Sequence, residues 1–189
     1  MEGQPPGTPG SARAASRGTL MTGRFVPEGG TRRESNPGRQ ALLPTILLAD
    51  ADPEYREMAR DALLESRSPS DLRFATDGQD LLDYLQRRGT HLDPVSSPRP
   101  ALIVLDLRLP KLGGVEAVRA IKSNSELRRI PVVALTDDGD PESVAAAYDA
   151  GVNTYIRKPV TFLSLVRLMK VFTAYWLDTA VLPAEEEAE

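Results

Sequence analysis

The chain has 189 residues, 41% of them apolar and 26% charged, with a formal net charge of −4, which is room for one ordinary domain with a genuine core. It has no cysteine, which excludes disulfides and thiolate metal sites. No apolar run approaches the roughly 18 residues of a membrane span, and the N-terminus lacks the apolar stretch of a secretory signal, so the reading is a soluble, cytoplasmic protein.

Residues 1–40 are rich in Gly, Pro, Ser and Arg and show no periodicity. Such a segment cannot bury enough surface to offset ordering entropy, so a disordered tail is expected there. It holds six Arg against Glu2, Glu28 and Glu34, which leaves about −7 on the remainder and argues against nucleic acid as the main partner. From residue 42 to about 180 the pattern is that of a folded domain. "TILLA" (45–49) is a strand, and "PEYREMARDALLES" (53–66) is a helix with Asp52 as N-cap and Pro53 at its first position. "DLRFA" (71–75) is a strand and 78–88 a helix. After a polar loop, "ALIVLD" (101–106) has the unbroken apolar run of a strand buried on both faces. Helix 114–123, strand 130–136, helix 141–150 (with Asp140 as its cap), strand 153–157 and a long helix 160–179 follow. Residues 181–189 end in the acidic "AEEEAE", a solvated tail. Five strands alternating with five helices predict an α/β fold, a parallel sheet covered on both faces.

In open sheets of this kind the chemistry lies beyond the carboxyl ends of the strands. The first strand ends at Asp50, the third at Asp106 and the fourth at Thr136, and the fifth runs into Lys158. A strand-ending Asp is by itself most often a cap or turn residue. The set together is more specific: two carboxylates, a hydroxyl and an ammonium at one edge of one sheet.

The stretches "ILLADADP", "LIVLDLRLPKLGG", "VVALT" and "AGVNTYIRKPV" resemble the receiver domain of two-component response regulators over about residues 44–180. "SELRRIPVVALT" and "FTAYWLDTAVLP" are similar to the single-domain regulators that partner phytochromes. The resemblance implies the flavodoxin-like doubly wound sheet of order 2-1-3-4-5. It implies a phosphoryl group accepted on Asp106 from a sensor histidine kinase such as a bacteriophytochrome, with output by protein–protein contact and no enzymatic activity. Asp50, Asp106 and the backbone carbonyl of Arg108 would hold Mg²⁺, Thr136 and Lys158 would contact phosphoryl oxygens, and Tyr155 would be the switch aromatic that follows Thr136. Phosphoryl transfer needs charge neutralised on three equatorial oxygens, which a hard cation and an ammonium supply.

Two positions depart from the family pattern. Ala51 stands where a second acid, the direct metal ligand, is usual, so weak Mg²⁺ binding is expected. Asp137 follows Thr136 where a small residue is usual; it would repel the phosphoryl group, replace the missing charge, or face solvent. Arg108 and Asp138 are expected to face each other over the site. The lone His91 reads as a bystander. Two other readings fit parts of the pattern: a degenerate receiver acting as a phosphorylation-independent module, and a haloacid-dehalogenase-like phosphatase built on Asp50, Asp52, Thr136 and Lys158. The latter lacks the expected residue at Glu54 and leaves Asp106 without a role. The last helix is apolar around more than the 100° that one sheet requires, which predicts a homodimer through helix 4, strand 5 and helix 5 or the extension of helix 5.

Overall fold

The structure, a computed structural model, describes residues 43–183. The expected tail at 1–40 and residues 184–189 of the acidic end lie outside the described residues. The elements are β1 (Thr45–Ala49), α1 (Pro53–Ser66), β2 (Asp71–Ala75), α2 (Gly78–Leu85), β3 (Leu102–Leu105), α3 (Gly114–Ser123), β4 (Val132–Thr136), α4 (Pro141–Ala150), β5 (Thr154–Arg157) and α5 (Phe162–Thr173). All strand pairs are parallel, in the order β2-β1-β3-β4-β5. The parallel sheet is the one the alternation predicts, and its order is the flavodoxin-like, doubly wound one that the resemblance implies.

The sheet separates two apolar layers. On one face Leu47, Ala49, Ile103, Leu105 and Val132 pack under α2, α3 and α4. On the other, Ile46, Leu48, Val104 and Leu135 pack under α1 and α5. Alternate residues of each strand serve opposite layers, as the period of two requires. β1, β3 and β4 are buried along their whole length, which explains their continuous apolar runs.

Two helix starts fix the loops at the carboxyl edge. Asp52 is extended and accepts from the Glu54 N–H at 2.9 Å, with Pro53 at the first helical position. Asp140 repeats the device on α4, followed by Pro141. Gly114 opens α3 against the chain just after β3. A Cβ there would lie 2.5 Å from Leu107 Cα and 2.8 Å from the Asp106 carbonyl oxygen, so only glycine lets the helix approach the loop this closely.

Three boundaries differ from expectation. α2 ends at Leu85, because Arg87 turns left-handed (φ 53°) and the chain enters a 3₁₀ turn over Gly89–His91. β1 and β2 keep their expected bounds, while β3, β4 and β5 are one or two residues shorter than expected, since end residues face loops. α5 starts at Phe162 with Thr161 as its cap, and its last turn, Ala174–Thr179, is π-helical.

Candidate functional site

Residues Ala49 of β1 and Leu105 of β3 are register partners, so the next residue of each strand, Asp50 and Asp106, emerge side by side. Both are buried, at 1% and 6% exposure. Lys158, just past β5, reaches in from the side. Its Nζ lies 2.7 Å from Asp50 Oδ2 and 2.7 Å from Asp106 Oδ2. Thr136, the last residue of β4, donates its hydroxyl to Asp106 Oδ1 at 2.7 Å, and the Arg108 N–H donates to the same oxygen at 3.0 Å. Three strand ends therefore converge on one carboxylate.

The two acids are held differently. Burial acts to raise the pKa of Asp106, but the Arg108 N–H, Lys158 and Thr136 outweigh it and hold the group below the usual carboxylate range. Burial dominates at Asp50 and pushes it up, against Lys158 and the Asp52 N–H. Asp50 Oδ1 accepts from the Asp52 N–H at 3.0 Å. Its Oδ2 is buried and receives no aligned hydrogen bond, only the Lys158 ammonium out of line. Burial also works against a charged Lys158, yet the two carboxylates raise its pKa. Two carboxylates against one ammonium leave the pocket short of positive charge.

Ala51 faces solvent, and Asp52 is exposed with its carboxylate committed to the cap of α1. Asp52 thus takes the cap role that the sequence predicts for it. Among the described residues no three carboxylate or imidazole side chains cluster around a cation position. A Mg²⁺ site nevertheless needs only one or two carboxylates and keeps several waters. Asp50, whose Oδ2 has no aligned hydrogen bond, and Asp106 beside it meet that minimum, so the donor set fits a hard cation.

The expected pairing of Arg108 with Asp138 is corrected. Arg108 pairs with Asp137, at the mouth of the site. Asp138 instead folds its carboxylate over the Asp140 N–H at 2.8 Å, closing a turn of its own. Tyr155 is half-buried and donates its hydroxyl to the Asp138 carbonyl at 2.8 Å. His91 lies outside the site, bonded to Asp80 at 2.8 Å and Ser97 at 3.2 Å. Sequence reasoning missed Tyr55, whose ring lies 4.2 Å from Lys158 Nζ. A tyrosine in the first turn of an amphipathic helix reads as core, and no spacing signal links it to a lysine about a hundred positions later.

The sheet order and this convergence define a receiver-type site, and the comparisons agree. Residues 46–170 match the model of the response regulator receiver domain; the chain belongs to that family. It is similar to the response regulator Rcp1 of Synechocystis sp., 36% identical over 151 residues, or 80% of this chain and 97% of that protein. The structure of Mn²⁺-bound Rcp1 matches with a TM-score of 0.67 and 35% identity, over 75% of this chain and 99% of that one. The phosphorylated cyanobacterial phytochrome response regulator RcpA matches with a TM-score of 0.69 and 34% identity, again over 75% and 99%.

Proposed function

We propose that the protein is a signalling switch that accepts a phosphoryl group on Asp106 from a histidine of a sensor kinase. The observation that carries this is the grip on Asp106: Lys158 and Thr136, from two further strands, and the Arg108 N–H all address its carboxylate. In the transfer, the donor's N–P bond breaks as an Asp106 oxygen forms the new O–P bond, and the imidazole leaves as a neutral group once protonated. Lys158 pairs with a phosphoryl oxygen, and the Thr136 hydroxyl turns from the carboxylate to another. Asp50, Asp106 and the Arg108 carbonyl would hold Mg²⁺, which when bound neutralises charge on the phosphoryl oxygens. Tyr155 then responds to Thr136 and changes the α4–β5–α5 face.

The likeness to the phytochrome response regulator RcpA supports a phytochrome-type kinase as donor. Among the described residues no helix is long and apolar enough to cross a membrane, which supports action in the cytoplasm. Exposed apolar residues on α5 and its last turn, Phe162, Leu163, Val171 and Tyr175, support a homodimer. Sedimentation showing a monomer at high micromolar concentration would remove the dimer.

Acetyl phosphate with Mg²⁺ tests the central claim. A phosphoryl adduct should appear by intact mass and vanish in Asp106→Asn. No adduct in the wild type, or one that survives the substitution, would overturn the assignment and favour a phosphorylation-independent module.

A further inference from the structure

Tyr55 is 6% exposed, and its hydroxyl is buried without a hydrogen-bond partner. Buried polar groups are nearly always satisfied, so an orphan donor asks for a reason. The other tyrosines that are buried or half-buried follow the rule. Tyr84 donates to the Pro98 carbonyl at 2.9 Å and Tyr155 to that of Asp138 at 2.8 Å. A phenylalanine would fill the same apolar space beneath α1 without the orphan.

The ring has a definite neighbour. Lys158 Nζ stands 4.2 Å from its centroid while touching Asp50 and Asp106. An ammonium over an aromatic face is attracted by the ring quadrupole, more strongly when desolvated. The position an acid at 51 would occupy is solvent-facing Ala51, so the lysine is caged by two carboxylates and this ring. Burial, then the charges of Asp50, Asp137 and Asp106, push the phenol well above its ordinary pKa. The hydroxyl therefore keeps its proton at neutral pH and remains a donor. An acidic neighbourhood that disfavours phenolate suits an anion only as something to be hydrogen-bonded.

We propose that Tyr55 is a positioning residue of this site: its ring face holds the Lys158 ammonium between the two carboxylates, and its hydroxyl is the free donor for the oxyanion that arrives at Asp106. The donor half rests on the phosphoryl-acceptor reading; the ring half does not.

The test compares wild type, Tyr55→Phe and Tyr55→Leu, with Tyr55→Met in place of Leu if that variant does not fold. The first readout is the Lys158 ε-methylene and ammonium resonances by NMR in metal-free protein. The ring current should shift them in the wild type and in Phe, and the shift should be lost in Leu or Met. The second is the affinity for beryllofluoride, a phosphoryl mimic, at saturating Mg²⁺. Phe should weaken it by about fivefold, the size of one hydrogen bond, and Leu or Met by about tenfold or more as the lysine is released too. Lys158 resonances unchanged in Leu or Met overturn the ring half. Wild-type affinity in Phe overturns the donor half. A wild type that binds no beryllofluoride overturns the acceptor reading and the donor half with it, while the lysine resonances still decide the ring half.

Discussion

Two groups of acids lie at the same edge of the sheet and have opposite lives. At the start of α2, Asp77 is buried at 5% exposure but fully engaged. It accepts from the Asp80 N–H at 2.8 Å as N-cap, and Lys111 Nζ lies 2.6 Å from it. Asp80 accepts from the Thr76 N–H at 2.8 Å and meets His91. Burial raises both, yet their partners win, and both titrate below the usual range. Asp50, only slightly more buried, has an oxygen with no aligned donor and is pushed up instead. A satisfied acid holds a helix in place. One whose second oxygen meets only an ammonium shared with a neighbouring carboxylate suits a hard cation.

Four experiments press on that difference. The largest effect belongs to Asp106→Asn, which should abolish phosphoryl acceptance by mass spectrometry while the fold survives. Next, Ala51→Asp should tighten Mg²⁺ roughly tenfold by calorimetric titration, since ligand charge sets affinity for hard cations. It should also lower stability without metal by about 0.5–1 kcal/mol, because a third acid repels the first two. Unchanged affinity, together with loss of binding in Asp137→Ala, would mean the ligand set has been misplaced.

Third, Asp77→Ala should destabilise by about 1–2 kcal/mol in urea melts through loss of the cap, with no effect on beryllofluoride binding. The sign with pH follows from the lowered pKa of Asp77. Its stabilisation is fully present above its ordinary value of 3.8 and is lost as pH falls through the lower folded value, so wild type and variant should converge in acid. A gap that persists once Asp77 is protonated in the folded protein would assign the effect to packing. The smallest change in stability is Arg108→Ala. The pair with Asp137 is exposed, 58% on each side chain, and such pairs contribute about 0–1 kcal/mol. Its effect should be kinetic: the pair obstructs water at the mouth, so Arg108→Ala and Asp137→Ala should both hasten decay of the phosphoryl adduct. Asp138→Ala should not.

Most of the fold was legible because its signals are local. Unbroken apolar runs marked the central strands, and Asp52-Pro53 and Asp140-Pro141 marked two helix starts. The strand-end residues were legible because topology brings carboxyl ends together without knowledge of side-chain geometry. What escaped depends on distances that periodicity does not encode. Arg108 selects Asp137 over Asp138 because the latter closes its own turn with Asp140. The end of α2 at Leu85 depends on one left-handed residue, Arg87, in a stretch whose polar residues equally suit a helix. His91 seemed idle in sequence, yet it fastens its loop to α2 through Asp80.

The lysine that bridges Asp50 and Asp106 also bears on the order in which the chain assembles. β1 and β3 are neighbours in the sheet, so an intermediate that has paired them already sets two carboxylates side by side. The cation that relieves their repulsion follows β5, the edge strand and the last in the chain. The acceptor is thus electrostatically complete only when the final β–α unit has docked. Copies that lack the last β–α unit would hold the two carboxylates side by side without the ammonium they share.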